Sequence, residues 1–148
     1  MSAILKIDRI DLILLFCDHL YITYEVYDEM NECRSLIKSL ASELSKGTVA
    51  LIESSDFSHL ADRYPMLGVG ELSVIASAGE GIAFIEDRKA EGVAGAEGVH
   101  TFNIPELLLA CKKRGLIGKF DLVQIIDELK KKDGYLLKKD VLCELIGG

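Results

Sequence analysis

The chain contains 148 residues, of which 49% are hydrophobic and 28% are charged, enough for one well-buried core and too few for two comfortable domains. Its 24 acidic and 17 basic residues leave a formal net charge of −7, which opposes the capture of nucleic acid by overall electrostatic attraction. The first apolar stretch, 10–16, is too short to span a bilayer, so the sequence predicts one globular domain over 1–148, located in the cytoplasm.

Helices and short strands are predicted to alternate along the chain. Apolar residues at helical spacing mark the helices, whereas the strand TVALI (48–52) is apolar and rich in β-branched residues. Proline is favoured in the first turn of a helix and glycine just after its end, which places Pro105 and Gly115 at the two limits of one helix. The predicted helices cover 8–18, 25–44 with a bend near Asn31, 58–64, 68–79, 88–95, 104–114, 119–132 and 138–146, and the predicted strands cover 20–23, 48–52, 82–85 and 99–102.

The cysteines and histidines do not form a metal-binding pattern. The four cysteines contain no CxxC pair, and the three histidines are not at helical ligand spacing. A zinc site is therefore not expected, and each cysteine is predicted to be a small buried apolar group in a reducing compartment. The basic clusters 112–114, 130–132 and 138–139 are candidate nucleic-acid contacts, but basic residues at helix ends also offset the helix dipole, which is the stronger interpretation.

Acidic residues follow the predicted strands at places where a ligand site can form. Short strands separated by helices predict an α/β fold with three layers, in which helices cover both faces of a central parallel sheet. Ligands of such sheets bind beyond the carboxyl ends of the strands. Asp87 lies two residues after strand 82–85, Glu71 lies near the start of helix 68–79, and Glu29 lies in the helix after strand 20–23. Converging carboxylates are the ligands that a hard divalent cation prefers, so these acids are candidates for a metal site.

Three segments together resemble the PIN domain, the PilT N-terminus nuclease family. They are VYDEM (26–30), LGVGELSVIASA (67–78) and IAFIEDRKA (82–90). The resemblance is to the prokaryotic branch related to VapC-type toxins, in which a Gly-Glu pair heads an apolar, alanine-rich helix. It extends to the end of the chain through LLLACKKRGLI (107–117) and IIDELKKKDGYLL (125–137).

This resemblance implies a metal-dependent ribonuclease in which acidic residues bind Mg²⁺ or Mn²⁺ and activate water for attack on an RNA phosphodiester. Matched by motif, Glu29, Glu71 and Asp87 are the metal-binding and catalytic acids, and Glu86 is not expected to point the same way as Asp87. The implied partners are RNA as substrate, an antitoxin protein if the chain is the toxin of a toxin-antitoxin pair, and a second copy in a homodimer. The alternative is a catalytically impaired PIN-like domain that acts as a protein-binding or regulatory module.

The beginning of the chain departs from the family pattern. When 6–13 is aligned on the family's first helix, Met1 falls a few residues after the Asp that ends the family's first strand. We therefore expect this strand and its acid to be absent, either because the start codon was assigned too late or because the chain is a shortened member. The family's polar residue near the fourth strand corresponds to Thr101 or Asn103, although the surrounding residues differ from the usual small ones.

Each candidate acid also has an ordinary structural interpretation. Glu71 and the pair Glu86-Asp87 are suited to capping helices, and Glu29 is suited to a solvated helix surface. Gly70 and the other paired glycines lack the lysine and hydroxyl residue of a P-loop, which favours turns and close packing. An unrelated α/β domain that binds a small molecule would instead have a deep apolar pocket and acids that do not converge.

Overall fold

The computed structural model describes residues 1–147, in which ten helices and four short strands follow one another. The order is α1 Ser2–Lys6, α2 Asp11–Leu14, β1 Leu20–Thr23, α3 Tyr24–Met30, α4 Arg34–Lys46, β2 Val49–Ile52, α5 Ser58–Arg63, α6 Val69–Ser77, β3 Ile82–Phe84, α7 Arg88–Ala96, β4 His100–Phe102, α8 Ile104–Lys113, α9 Lys119–Asp133 and α10 Lys139–Ile146. None of these helices is long and apolar enough to cross a bilayer.

The strands form two parallel pairs. In the first pair β1 lies beside β2, with Leu20 opposite Val49. In the second pair β3 lies beside β4, with Ile82 opposite His100. The α/β fold with parallel strands and covering helices is thus confirmed, and within 1–147 the strands are divided into two sheets that do not exchange ladder hydrogen bonds.

Buried apolar residues join the helices to the strands in three clusters. The first cluster joins α1, α8 and α9, and the third joins β1, β2, α3 and α4. The second cluster packs α6 and α7 against β3 through Leu72, Ile75, Ala83, Ala90 and Ala94. The helices that begin near Glu71 and Asp87 therefore belong to one packed unit, so the two acids are held by a common core.

Two predicted helices differ from the structure. The helix expected over 8–18 is wrong in its extent: within that range the structure has α2, Asp11–Leu14, and α1, which was not predicted, precedes it at Ser2–Lys6. Asp8 has a positive φ of 56°, which a right-handed helix does not accommodate, so α1 ends before Asp8 and the predicted helix cannot begin there. The long helix expected over 25–44 is divided into α3 and α4, with Cys33 in an extended conformation between them. Asn31, which ends α3, has low helix propensity, so the chain breaks where the predicted bend was placed.

The four cysteines are free thiols. Cys111 is fully buried as predicted, and Cys17 and Cys33 are half-buried. The prediction is wrong for Cys143, which is exposed on α10.

Candidate functional site

The three candidate acids lie where helices meet the carboxyl ends of the strands. Glu29 is in the last turn of α3, which follows β1 directly. Glu71 is in the first turn of α6. Asp87 is the N-cap residue of α7, three positions after the end of β3. The helix termini thus bring the acids to the edge at which parallel strands present their ligand sites.

A buried chain of hydrogen bonds fixes α6 to the end of β1. The hydroxyls of Thr23 and Ser73 are 2.8 Å apart, and both residues are almost fully buried. Ser73 donates to the Gly70 carbonyl at 2.6 Å, and the Thr23 oxygen accepts from the Val26 backbone N–H at 3.3 Å. Because Ser73 uses its proton on Gly70, Thr23 donates to Ser73, and every hydroxyl proton in the chain has an acceptor. The starts of α3 and α6 are therefore held in register.

Glu29 is positioned by the N-terminus of α6. One of its carboxylate oxygens accepts from the Gly70 backbone N–H at 3.1 Å. The N-cap residue of α6, Gly68, has no side chain to satisfy the free N–H groups of the first turn. Glu29 supplies that missing cap from a neighbouring helix, and the positive end of the helix dipole stabilises its negative charge.

Gly70 makes this contact sterically feasible. A Cβ atom at position 70 would lie 2.6 and 2.7 Å from the two carboxylate oxygens of Glu29, which is closer than real Cβ contacts allow. Glycine lets a polar group approach the backbone where any other residue would push it away. The Gly-Glu pair at 70–71 thus has a physical reason: the glycine admits one carboxylate and the next residue adds a second. This is close packing, as predicted for Gly70.

The negative charges of both other acids act on the carboxyl of Glu71. Its side chain is half-buried, and burial raises the pKa of its carboxyl above the ordinary value. The negative charges of Asp87 and Glu29 raise this pKa further, whereas a hydrogen bond from the Gly68 backbone lowers it. A proton or a cation relieves the repulsion between negative charges that lie close together.

Asp87 caps α7 with one oxygen. Its Oδ1 accepts from the Ala90 backbone N–H at 3.0 Å, so the helix-capping interpretation holds for this atom. Oδ2 accepts no hydrogen bond from any residue in 1–147, and the side chain is exposed to solvent. One oxygen of Asp87 therefore stays available to a ligand.

Glu86 is committed elsewhere. Its two oxygens accept from the Ile104 backbone N–H at 2.6 Å and from the Tyr135 hydroxyl at 2.9 Å. These contacts fasten the end of β3 to α8 and to the segment after α9. Burial, followed by the charge of Glu86, raises the pKa of Tyr135, so the hydroxyl stays a donor. Glu86 anchors the segment that carries Asp87.

The two polar candidates near β4 have local roles. Asn103 is the N-cap residue of α8, and its side-chain oxygen accepts from the Glu106 backbone N–H at 3.0 Å. Thr101 lies in β4 opposite Ala83. The amide oxygen of Asn103 is thus occupied by the helix that it begins.

Glu25 is an acid that sequence reasoning missed. It lies in the first turn of α3, and one oxygen accepts from the Ser54 hydroxyl at 2.7 Å, just beyond the end of β2. The other oxygen is buried and has no hydrogen-bond partner among the described residues. Like Glu29, Glu25 lies in the helix that follows β1, and this position in the sequence could have identified it as a candidate site residue. A buried oxygen without a donor is costly unless a proton, water or cation satisfies it.

The donor chemistry of the three acids suits a magnesium-type cation. Within 1–147, no group of three His, Cys, Asp or Glu residues is arranged to hold one ion between them. Mg²⁺ does not require such a cage, because it keeps several waters and is bound by one or two carboxylates together with substrate phosphates. Glu71 and Asp87, mutually repulsive and accessible, fit that mode of binding.

Comparison with known families gives a match over nearly the whole chain. The model of family DUF3368, described as a PIN domain, matches residues 1–147. Comparison with curated proteins gave no match, and comparison with solved structures gave none either. The family supports a nuclease-type function, and its members are in general dependent on a divalent metal. Since the match spans nearly the whole sequence, the chain belongs to the PIN domain family.

Proposed function

We propose that this chain is a Mg²⁺- or Mn²⁺-dependent ribonuclease of the PIN type, which hydrolyses RNA phosphodiesters. The observation that carries this proposal is the position of Glu71, whose carboxyl is influenced by the charges of both Asp87 and Glu29 at the ends of the strands. Family membership supports the nuclease class and the need for a divalent metal. The chain's own contribution to this chemistry is the set of acids that would bind the metal.

The electrostatics of the apo site favour a cation over a phosphate. Three carboxylates near one another repel an RNA backbone as well as each other. A bound divalent cation would lower the pKa of a coordinated water and stabilise the charge on the phosphate. The acids must therefore be ionised and must hold their oxygens toward a common point before RNA can approach.

The contacts of the individual acids suggest distinct roles. Glu71 and the free oxygen of Asp87 are proposed as the ligands that bind the metal directly. Glu29, held through one oxygen on the Gly70 N–H, is proposed to direct its second oxygen toward the same place. Glu29 and Glu71 thus both depend on the first turn of α6, the former through its hydrogen bond and the latter through its position in the helix.

A second candidate function has its own supporting observation. One oxygen each of Glu29 and Asp87 accepts a backbone N–H, and the described residues contain no three-ligand group. A PIN domain in which the acids serve mainly as helix caps would bind protein partners without cleaving RNA. Metal binding separates the two candidates, since a capping carboxylate needs no cation.

The experiment combines Mn²⁺ titration by calorimetry with an RNA cleavage assay. The parent chain is compared with Glu71→Gln and Asp87→Asn, and Glu106→Gln serves as the matched control. Glu106 is also an acid in the first turn of a helix, and burial raises the pKa of its carboxyl. Its neighbouring charges, however, are Glu91 and Glu86. The nuclease proposal predicts that the two site variants lose Mn²⁺ binding and cleavage while the control keeps both. A parent that neither binds Mn²⁺ nor cuts RNA beyond the site variants favours the second candidate.

The toxin role, the antitoxin partner and the homodimer are further predictions from the resemblance. Expression of the parent chain in growing cells should arrest growth if it is a toxin, and the Asp87→Asn variant should not. Light scattering of the purified chain measures the oligomeric state directly. Growth that is equally unaffected by the parent and by the variant contradicts the toxin role.

A further inference from the structure

A groove runs along the outer face of α7, beginning next to Asp87. It has a volume of about 530 Å³ and is lined by Arg88, Lys89, Gly92, Val93 and Ala96 of α7 and by Tyr64 and Met66 from the segment before α6. From Arg88 to Ala96 the helix rises roughly 12 Å. The groove therefore lies between α7, which begins after Asp87, and the segment that leads into α6, the helix of Glu71.

The two basic side chains of the groove do not stabilise the fold through ion pairs with described residues. Arg88 and Lys89 are exposed and form no ion pair within the described chain. They occupy the first turn of α7, where the positive end of the helix dipole makes cations unfavourable. Stability alone would favour acids at these positions, so their charge is free to act on a ligand.

The glycine in the floor of the groove is likewise not required by packing. A Cβ atom added to Gly92 would meet nothing within 4 Å, although glycine weakens the interior of a helix. The opposite wall is fixed, because the Tyr64 hydroxyl donates to Glu97 at 3.0 Å. An open floor beside an anchored aromatic ring leaves room for a flat group.

We propose that this groove binds single-stranded RNA next to the candidate metal site, with Arg88 and Lys89 contacting phosphates and the wall formed by Tyr64 and Met66 contacting a base. Basic side chains that follow the backbone and aromatic rings that stack on bases are the means by which proteins hold single strands. The inference rests on the proposed function, since it takes RNA as the ligand. It adds the strand's direction of approach, which passes along α7 toward Asp87.

The first test is the affinity for a labelled single-stranded oligoribonucleotide, measured by fluorescence anisotropy in an Asp87→Asn background. The proposed role of Asp87 predicts that cleavage is lost in this background, and Asn is also a good N-cap residue for α7. The variant Arg88→Ala/Lys89→Ala should bind RNA about tenfold more weakly. The slope of log affinity against log salt should decrease in magnitude by about 1.4, because each phosphate contact with a single strand contributes about 0.7.

The matched control is Lys112→Ala/Lys113→Ala. These lysines lie in the last turn of α8 and line a second groove of about 370 Å³, where Lys112 donates to the Glu144 carbonyl. Their removal changes the net charge equally. The control should alter neither the affinity nor the salt slope. Equal weakening by both double variants would indicate a general charge effect and would overturn the proposal, as would unchanged binding in both.

A second pair of variants tests the floor of the groove without removing charge. Gly92→Leu fills the groove, whereas Gly95→Leu places the same side chain on the same helix at a residue that does not line the groove. A Cβ atom at either position meets nothing within 4 Å, and leucine favours helix, so neither variant should unfold the chain. RNA binding should weaken only for Gly92→Leu. Unchanged RNA binding with an altered oligomeric state would make the groove a protein contact and overturn the RNA assignment.

Failure of this inference can be distinguished from failure of the nuclease proposal. If the parent binds and cleaves with Mn²⁺ but the groove variants bind RNA like their controls, only the groove assignment is wrong. If the groove variants behave as expected but the parent neither binds Mn²⁺ nor cleaves, RNA binding stands and the metal chemistry fails.

Discussion

Replacement of Gly70 by alanine tests the contact that joins two of the acids. The new Cβ atom would lie 2.6 Å from one oxygen of Glu29 and 2.8 Å from its carboxyl carbon. Because this carboxylate is the end of a flexible side chain, it can move away, and the backbone of α6 need not shift. The perturbation therefore removes the hydrogen bond to the Gly70 N–H and displaces Glu29 from the site.

The free energy of unfolding should change little, because two effects oppose each other. Loss of a hydrogen bond to a charged group costs about 1.5–3 kcal/mol, and the exposure of Glu29 puts the cost at the low end. Alanine in place of glycine gains about 0.8–1 kcal/mol of helix propensity. We expect Gly70→Ala to be destabilised by roughly 0.5–1 kcal/mol.

Gly92→Ala is the matched control for helix propensity. Its new Cβ atom meets nothing within 4 Å, so the variant should gain about 0.5–1 kcal/mol of stability. Urea denaturation of the two variants should thus give changes of opposite sign. Mn²⁺ affinity should fall about 10- to 100-fold in Gly70→Ala, as for the loss of a group that orients a ligand, and should not change in Gly92→Ala. Equal stabilisation of both variants, with unchanged Mn²⁺ affinity, would refute the role assigned to Gly70.

Glu71→Gln should stabilise the metal-free chain at neutral pH by at most about 1 kcal/mol, because the carboxyl is partly exposed. Folding raises the pKa of Glu71 above 4.5, so the native state holds more protons than the unfolded state. The free energy of unfolding of the parent should therefore fall as the pH rises from 4.5 through the raised pKa, and Glu71→Gln should lack this dependence. Thr23→Val should cost about 1–3 kcal/mol by urea denaturation, since it leaves the Val26 N–H unsatisfied, and a cost in the double variant with Ser73→Ala equal to the sum of the single costs would contradict a shared network. Tyr135→Phe should cost about 1.5–3 kcal/mol by the same measurement, because the charged Glu86 loses a donor. Mn²⁺ affinity should stay unchanged, and a large loss of affinity would indicate that Glu86 acts in the site.

Local patterns predicted most of the secondary structure because local forces determine it. The strand at 20–23 and the helix that contains Pro105 lie where propensity, periodicity and turn residues agree. The bounds of the last two helices also agree closely, since Gly134 ends α9 in a left-handed conformation that glycine adopts readily. The first helix, predicted over 8–18, was wrong in its extent, because α2 covers Asp11–Leu14 and the positive φ of Asp8, which separates α2 from α1, does not follow from periodicity.

Contacts between residues far apart in sequence explain what the patterns could not provide. The Glu29–Gly70 hydrogen bond spans 41 positions, and the Ser54–Glu25 bond spans 29. Neither follows from periodicity, so the buried oxygen of Glu25 was not anticipated. The motif gave Glu29, Glu71 and Asp87 as candidates, and the structure adds which oxygens of Glu29 and Asp87 already accept from backbone N–H groups.

The most direct test of the shared acidic site is calorimetric titration with Mn²⁺ above the raised pKa of Glu71. Saturable binding by the parent and by Glu106→Gln, lost in Glu71→Gln and in Asp87→Asn, is the predicted result. Absence of Mn²⁺ binding by the parent, or equal binding by Glu71→Gln, would contradict a common metal site at Glu29, Glu71 and Asp87.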